Sequence, residues 1–442
     1  MKSEFKVQSK PKGFSVPSDW KETELGMIPC DWDVKLLTDL LINYDFQRIP
    51  LSKMQRNNKK GIYPYYGASG IIDYVNEYIF DGEYLLISED GENLKSRNTP
   101  IAFLVSGKFW VNNHSHILKS EDNFTSRFIF YSFQNLDVNP YLTGSVQPKL
   151  SQSQLNKILI LIPSNEDEQK AIAKILSDLD DKIDCNRKIN DTLEELGQTL
   201  FKRWFVDFEF LNEEGKPYKS SGGEMVESEL GMIPEGWRVD NLGNHVNSIN
   251  GYSYKGIELQ PSNDALVTLK NFDRTGGFRY GGFKEIKGSN YKDIQKVFAG
   301  DLVVAHTDLT TNAEVLGNPA IVPKSKYENM VISMDLVKVV PKDDIFTIPF
   351  LYFLMRNPLF KGHCLGYSNG TTVSHLKKTA IPEFKLVVPS VDVITKYSQL
   401  TKNIINQIID LTEEIQSLQQ IRDSLLHKLM SGQIRVSLKD EK

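Results

Sequence analysis

A chain of 442 residues, 40% hydrophobic and 25% charged, has the composition of an ordinary globular protein and the length for two or three domains. No apolar run approaches the roughly 20 residues needed to cross a bilayer, and the polar N-terminal stretch has no signal-type apolar core. Cys30, Cys185 and Cys364 form no CxxC pair, metal-ligand spacing or disulfide framework, so a reduced, cytoplasmic setting is expected. The net charge of −5 speaks against a uniformly basic nucleic-acid binder, but the sum hides opposed stretches. Residues 165–195 are dense in Asp and Glu, whereas 48–60 carry Arg48, Lys53, Arg56, Lys59 and Lys60 with no carboxylate.

In chain order, residues 1–19 read as a tail. A first domain over 20–163 opens on Glu22-Thr-Glu-Leu-Gly-Met-Ile-Pro29 and Trp32. Short runs bounded by Gly, Asn and Ser predict strands at Tyr84–Ser88, Ile101–Val105, Phe109–Val111 and His116–Leu118, and Ser126–Gln134 reads as an amphipathic helix. The domain closes on Gly144-Ser-Val-Gln-Pro-Lys-Leu150 and Leu161-Ile-Pro-Ser164, with Ser164 placed to cap the next helix. The period then turns helical over 164–205, with a stripe of Ile172, Leu176, Leu179, Ile183, Leu193 and Leu200 that Asn186, Asn190 and Gly197 interrupt. Residues 206–222 are polar and Gly/Ser-rich and read as a linker.

The chain is then written a second time. Glu227-Ser-Glu-Leu-Gly-Met-Ile-Pro234 with Trp237 opens a second domain over 223–389, at one constant offset from the first opening. Strands are predicted at Leu302–Ala305, Ala320–Val322 and Asp335–Val340, and a helix at Ile348–Arg356. Gly370-Thr-Thr-Val-Ser-His-Leu376 and Val387-Val-Pro-Ser390 close it without gaps against the first closing boxes. A second long helix follows over 390–431, with Ile404, Ile408, Leu411, Ile415, Leu418 and Leu425 on its stripe, and 432–442 form a tail. Between the boxes the halves do not align. The expected fold is α/β (α+β): two mixed α/β domains in a pseudo-two-fold repeat, separated by two long helices pairing antiparallel as a coiled coil. Each helix is roughly 60 Å long at about 1.5 Å per residue.

No catalytic signature stands out. Asn139-Pro-Tyr141 lacks the second proline of an adenine methyltransferase motif, there is no phosphate-binding Walker loop, and Glu285-Ile-Lys287 has no paired upstream acid. His114-Ser-His116 has a spacing that can bind zinc, but no third ligand is evident, so no metal is expected.

The duplicated Glu24-Leu-Gly-Met-Ile-Pro29/Trp32 and Glu229-Leu-Gly-Met-Ile-Pro234/Trp237, the paired closing boxes and the two long helices resemble a type I restriction–modification specificity subunit. Tyr63–Gly70, Leu85–Gly91 and Trp110–His116 resemble segments of that family's target-recognition domains, and Gly300–Ala305 with Thr307 and Asp308 does so more loosely. The resemblance implies a non-catalytic chain in which each variable domain reads half of a split, asymmetric DNA site. The helices would dock two modification subunits and set half-site spacing, and restriction subunits would join. The chain would hold no cofactor, with S-adenosylmethionine, ATP and Mg on its partners. A free-standing DNA-binding regulator and a pure protein scaffold are the other readings.

Because cations position a protein on phosphates while Asn, Gln, Arg, Ser and Thr read base edges, residues of these types in the variable parts are candidate DNA contacts. In the first domain they are Lys53, Arg56, Lys59, Lys60, Tyr65, Tyr66, Lys95, Arg97, Asn113, His114, Ser145 and Gln147. In the second they are Lys270, Asn271, Arg274, Arg279, Tyr280, His306, Thr307, Asn312, Thr371 and Thr372. The helix-stripe residues named above are the candidate partner-binding set.

Overall fold

The computed structural model describes residues 19–144, 147–274, 276–288, 290–310, 312–370 and 373–436. The chain divides into two compact units, one of residues 1–182 and 419–442, the other of residues 183–418, so that each long helix contributes to both.

In the first unit the opening box is a hairpin of β1 (Trp20–Thr23) and β2 (Gly26–Pro29). Its turn is tied by Thr23 Oγ1 donating to Gly26 O at 2.9 Å. Next come β3 (Trp32–Leu36), β4 (Ile42–Asn43), α1 (Lys53–Asn58), β5 (Lys60–Gly67), β6 (Gly70–Val75), β7 (Phe80–Asp81) and β8 (Tyr84–Ser88). Beyond them are β9 (Ala102–Val105), β10 (Lys108–Val111), β11 (Ser115–Lys119), α2 (Asn123–Asn135), β12 (Leu159–Pro163) and α3 (Glu166–Phe205). Two four-stranded sheets result, ordered β4-β11-β8-β9 and β6-β5-β10-β7, while β3 pairs antiparallel with β12. All five residues of β8 are buried, as its unbroken apolar run requires.

The second unit uses β13 (Met225–Ser228), β14 (Gly231–Pro234), β15 (Arg238–Asn241), β16 (Val246–Asn250), β17 (Asp264–Val267), β18 (Lys284–Glu285), β19 (Lys296–Val297) and β20 (Leu302–Ala305). It continues with β21 (Thr307–Asp308), β22 (Pro319–Ile321), β23 (Asn329–Ile332), β24 (Leu336–Pro341), α4 (Ile348–Arg356) and α5 (Pro358–Gly366). β25 (Ser368–Asn369), β26 (Ser374–Leu376), β27 (Lys385–Val388) and α6 (Val391–Met430) complete the chain. Its sheets are ordered β16-β24-β20-β22 and β18-β17-β23-β19, and β15 pairs with β27. Position for position this is the order of the first unit. It extends to the single parallel pairing in each second sheet, β5 with β10 and β17 with β23, between antiparallel neighbours. The stretches that do not align in sequence therefore share one topology.

Within each unit the helical segments pair antiparallel. In the first, Asp180 meets Arg422 at 2.7 Å, and Glu168, near the other end, meets Arg435 at 2.7 Å. Ile172 and Leu176 are buried in one core with Leu426, Leu429 and Met430. In the second, Asn190 Nδ2 donates to Thr412 Oγ1 at 3.2 Å, and Tyr397 OH donates to Gly197 O at 3.3 Å. The helix-starting cap of α3 is Asn165, whose side chain accepts from Asp167 N at 2.8 Å; the Ser164 hydroxyl instead donates to Asp33 Oδ2 at 2.7 Å. The stretch read as a linker is not free of the core. Phe208 and Phe210 are buried, and Phe210 stacks on Trp237 with ring centroids 4.9 Å apart.

Gly197, a break in the helical stripe, has a packing cause. A methyl at that position would lie 2.0 Å from Cζ of Phe353, a fully buried ring. Gly197→Ala should therefore lower stability by ~1–2 kcal/mol in denaturant unfolding, overpacking outweighing the helix-propensity gain. Gly197→Ala combined with Phe353→Leu should recover part of that loss; an additive result would place the glycine's role elsewhere.

Candidate nucleic-acid interface

At one end of each first sheet, four chain segments are held together by the same backbone hydrogen bonds. In the first unit Glu89 N donates to His114 O at 2.9 Å, Leu150 N to Glu89 O at 2.7 Å, and Asn112 N to Tyr66 O at 3.0 Å. In the second, His306 N donates to Asp335 O at 2.7 Å, Leu376 N to His306 O at 2.8 Å, and Ser333 N to Val267 O at 2.9 Å. Asp90 bridges Lys149 as Thr307 pairs with His375, and Thr143 bridges Lys149 as Asn369 pairs with His375. The closing-box glycines serve this geometry. Gly144 and Gly370 both have positive φ, and a Cβ on either would lie 2.3 or 2.1 Å from the carbonyl oxygen three residues later.

On this common frame the side chains differ. In the first unit His116 is buried, with Nδ1 2.6 Å from Asp45 Oδ2 and Nε2 2.7 Å from Leu150 O. Burial opposes ionisation of Asp45, yet the hydrogen bond and charge of His116, the Ile117 N–H and Arg48 together hold its carboxyl below the usual range. Arg48 reaches Glu89 at 2.7 Å and Lys149 reaches it at 3.2 Å. Asp45, Glu89 and His116 are close enough to hold a metal ion. The donor set is already neutralised by Arg48 and Lys149, however, and both His116 nitrogens are engaged, so it fits an ion-pair network better than a cation. His114, the other half of His-Ser-His, points elsewhere: its ring is exposed and Nδ1 lies 2.8 Å from Asp90 Oδ2.

In the second unit Thr307 Oγ1 donates to Asp335 Oδ1 at 2.9 Å. Asp308 accepts from Thr310, Val315 and Leu316 N–H groups, and Lys361 Nζ donates into the same loop at Leu316 O and Asn318 Oδ1. His306 lies between: burial pulls its imidazole below the usual range, His375 and Lys378 push it the same way, and Asp335 opposes them.

The frame gathers some of the sequence candidates. Tyr66, Asn113, His114 and Gln147 lie on it or beside it in the first unit; Lys270, Asn271, His306 and Thr307 do so in the second, and Asn312 is an exposed turn residue farther along the chain from β21. Asn271 and Thr307 are buried, and Asn271 is spent on Thr268 N and Arg279 O. Arg279 lies on the same hairpin. Ser145, Thr371 and Thr372 lie outside the described residues. The remainder sit apart. Lys60 begins β5 while Tyr66 lies one residue before its end, roughly 20 Å away at about 3.3 Å per residue. Tyr65 is fully buried and its hydroxyl accepts from Leu51 N. Arg97 turns inward and donates to Phe133 O and Leu136 O at the end of α2. Tyr280 donates to Lys324 O.

The acid-free basic run is also largely spent. Arg56 and Lys60 pair with Asp73, Lys59 with Glu77, and Arg48 with Glu89 and Asp45; Lys53 remains exposed and unpaired among the described residues. Lys95 is exposed, and Arg274 meets Glu314 at 3.4 Å. Every helix-stripe candidate is at least partly covered. Ile172, Leu176, Ile183 and Ile404 are buried, and the others are mostly half-buried along the same seam. Exposed apolar positions on these helices include Ile189, Leu196, Leu400 and Ile421. Sequence reading passed over Asp90, Lys149, Asp335 and His375. The gapless alignment of the closing boxes sets Lys149 against His375 and so marks that one position as different within a constant frame.

Residues 29–195 match the type I restriction modification DNA specificity domain. The chain is 28% identical to the type I restriction enzyme MjaIX specificity subunit of Methanocaldococcus jannaschii, covering 96% of this chain and 98% of that one. It is 24% identical to the type I restriction enzyme HindI specificity subunit of Haemophilus influenzae, over 94% of this chain and all of that one. The crystal structure of a type I restriction-modification S subunit from M. genitalium shares the fold, with a TM-score of 0.55 and 16% identity over 92% of this chain and 97% of that one.

The Asp45–His116 pair gives a stability test. Asp45→Asn should cost ~3–5 kcal/mol by leaving a buried partner uncompensated. Because the folded pKa of Asp45 lies below its unfolded value of ~3.9, its contribution is complete above about pH 4 and fades as pH falls through the folded pKa. Acid unfolding of Asp45→Asn should accordingly be shallower below pH 4 than that of the unsubstituted chain; parallel acid limbs would rule the linkage out.

Proposed function

The chain belongs to the type I restriction–modification specificity subunits, and from that premise we propose that each variable domain reads one half of a bipartite, asymmetric DNA site. The observation that carries the reading is the shared frame. Two domains have one topology and one set of backbone hydrogen bonds, but side chains of different chemistry: Asp90, His114 and Lys149 in one, Thr307, Asp335 and His375 in the other. A constant backbone with variable hydrogen-bonding groups suits two readers of different base sequences, since base edges are discriminated by donor and acceptor pattern. Non-identical readers imply a non-palindromic site. A free-standing regulator finds no support among the relatives.

We place catalysis on partners: modification subunits carrying S-adenosylmethionine, and restriction subunits carrying ATP and Mg, in the cytoplasm. No described helix is long and apolar enough to cross a membrane. The long helices dock the modification subunits and set half-site spacing. Their stripe residues are consumed by packing within this chain, so docking falls to the outer faces, where Ile189, Leu196, Leu400 and Ile421 are exposed.

Co-expression with a type I modification subunit should yield methyladenine at a split, asymmetric motif that disappears when this chain is omitted. Exchanging residues 38–143 for those of a relative of different specificity should rewrite one half of that motif and leave the other intact. A stable complex whose motif survives the exchange unchanged would refute the assignment of the first variable domain as a reader.

A further inference from the structure

We infer that His114 and Asp335 are the base-discriminating residues of the two frames, each selecting a base that offers an exocyclic amino group in the major groove, adenine or cytosine; this rests on the DNA-reading role proposed above. The two positions are equivalent, because each carbonyl accepts the N–H of the first residue after the buried central strand, Glu89 after β8 and His306 after β20.

Each side chain is fixed by a neighbour from the facing segment. Asp90 grips His114 Nδ1 with both oxygens, at 3.0 and 2.8 Å, and Thr307 Oγ1 donates to Asp335 Oδ1 at 2.9 Å. The holders are themselves withdrawn: Thr307 is buried, and the Asp90 side chain is far less exposed than the His114 ring it holds. Held readers lose little rotational freedom on binding, which is what a discriminating contact needs.

One atom of each reader stays uncommitted among the described residues: Nε2 of His114 and Oδ2 of Asp335. In the tautomer whose Nδ1–H donates to Asp90, Nε2 of His114 is an acceptor. The second oxygen of Asp335 is an acceptor as well. In the major groove an acceptor is satisfied by adenine N6 or cytosine N4 and meets lone-pair repulsion at guanine O6 or thymine O4.

Neighbouring residues weaken the rival assignments. Glu89 is taken by Arg48 and Lys149, and His116 is buried against Asp45 and Leu150. A carboxylate directed at DNA would be repelled by phosphates if it stood alone. Exposed Lys378, which acts on the same His306 ring as Asp335, offsets that repulsion.

The test uses the complex of the full chain with its modification subunits, methylated-motif mapping, and binding competition by duplexes carrying single-base substitutions. His114→Ala should relax one A-or-C position of the first half-site, lowering discrimination there by roughly 10- to 100-fold and leaving the second half-site untouched. Asp335→Asn, nearly isosteric but able to donate, should admit guanine or thymine at one position of the second half-site only. Asp90→Asn should weaken the same position as His114→Ala, by less. Substitution at the exposed His114 ring keeps the test decisive if Asp335→Asn fails to fold. Variants that assemble and methylate the unaltered motif would overturn the inference and leave the DNA-reading role standing, as would a uniform loss of affinity across all sequences. An unsubstituted complex that methylates no bipartite motif would instead remove the DNA-reading role, and the inference with it.

Discussion

Everything in each half depends on one strand pairing, that of the strand after the opening box with the strand that ends the closing box. Trp32 faces Pro163 and Leu36 faces Leu159; Arg238 faces Val388 and Asn241 faces Lys385. This pairing closes a loop of more than a hundred residues, whose entropic cost grows only logarithmically with length. It therefore tolerates great variety in what the loop contains. It also fixes the direction in which the long helix departs, because α3 begins three residues after Pro163 and α6 three residues after Val388. The repeated sequence motifs lie at the two ends of each half because those ends meet.

Inside that closure the two variable regions reach the same sheets with little shared sequence. The shared quantity is a pattern of burial. The central strands β8 and β20 are buried throughout and are flanked antiparallel by β11 and β9, or by β24 and β22. Any set of apolar side chains of suitable volume satisfies that demand, so identity drifts while topology stays. The segments beyond the ends of those central sheets carry no such demand, and that is where Asp90 and Thr307, or His114 and Asp335, diverge.

Several features were legible in the sequence because their signals are local. The duplication, the apolar strand runs and the helical stripes each show within a short window. The β5–β6 hairpin did not, since Tyr63-Pro-Tyr-Tyr66 has no clean alternation and the hairpin carries register shifts. Nor did the parallel pairings of β5 with β10 and β17 with β23, because residues far apart in the chain leave no periodic trace. Gly197 read as a defect in a stripe until Phe353, from another element, occupied its empty face. Candidate contacts on the basic run were legible as charge but not as available charge. Their partners Asp73 and Glu77 come from the neighbouring strand and the residues just after it.

That last point bears on how an acidic chain engages DNA. On the reading proposed above, with Arg48, Arg56, Lys59 and Lys60 committed to carboxylates, counterion release falls to other cations; exposed ones include Lys53 and Lys95 in the first domain and Lys270, Arg279, Lys377 and Lys378 in the second. Few phosphate contacts mean weak non-specific binding and a shallow salt dependence for the chain alone. On that reading, affinity rests with the assembled complex and discrimination with this chain. That division is favourable for selectivity, because phosphate attraction is the same at every sequence and raises competing sites together with the target. A reader poor in free positive charge leaves the hydrogen bonds at the frame as the larger share of its binding, and on the inference drawn above those are the bonds that distinguish one base from another.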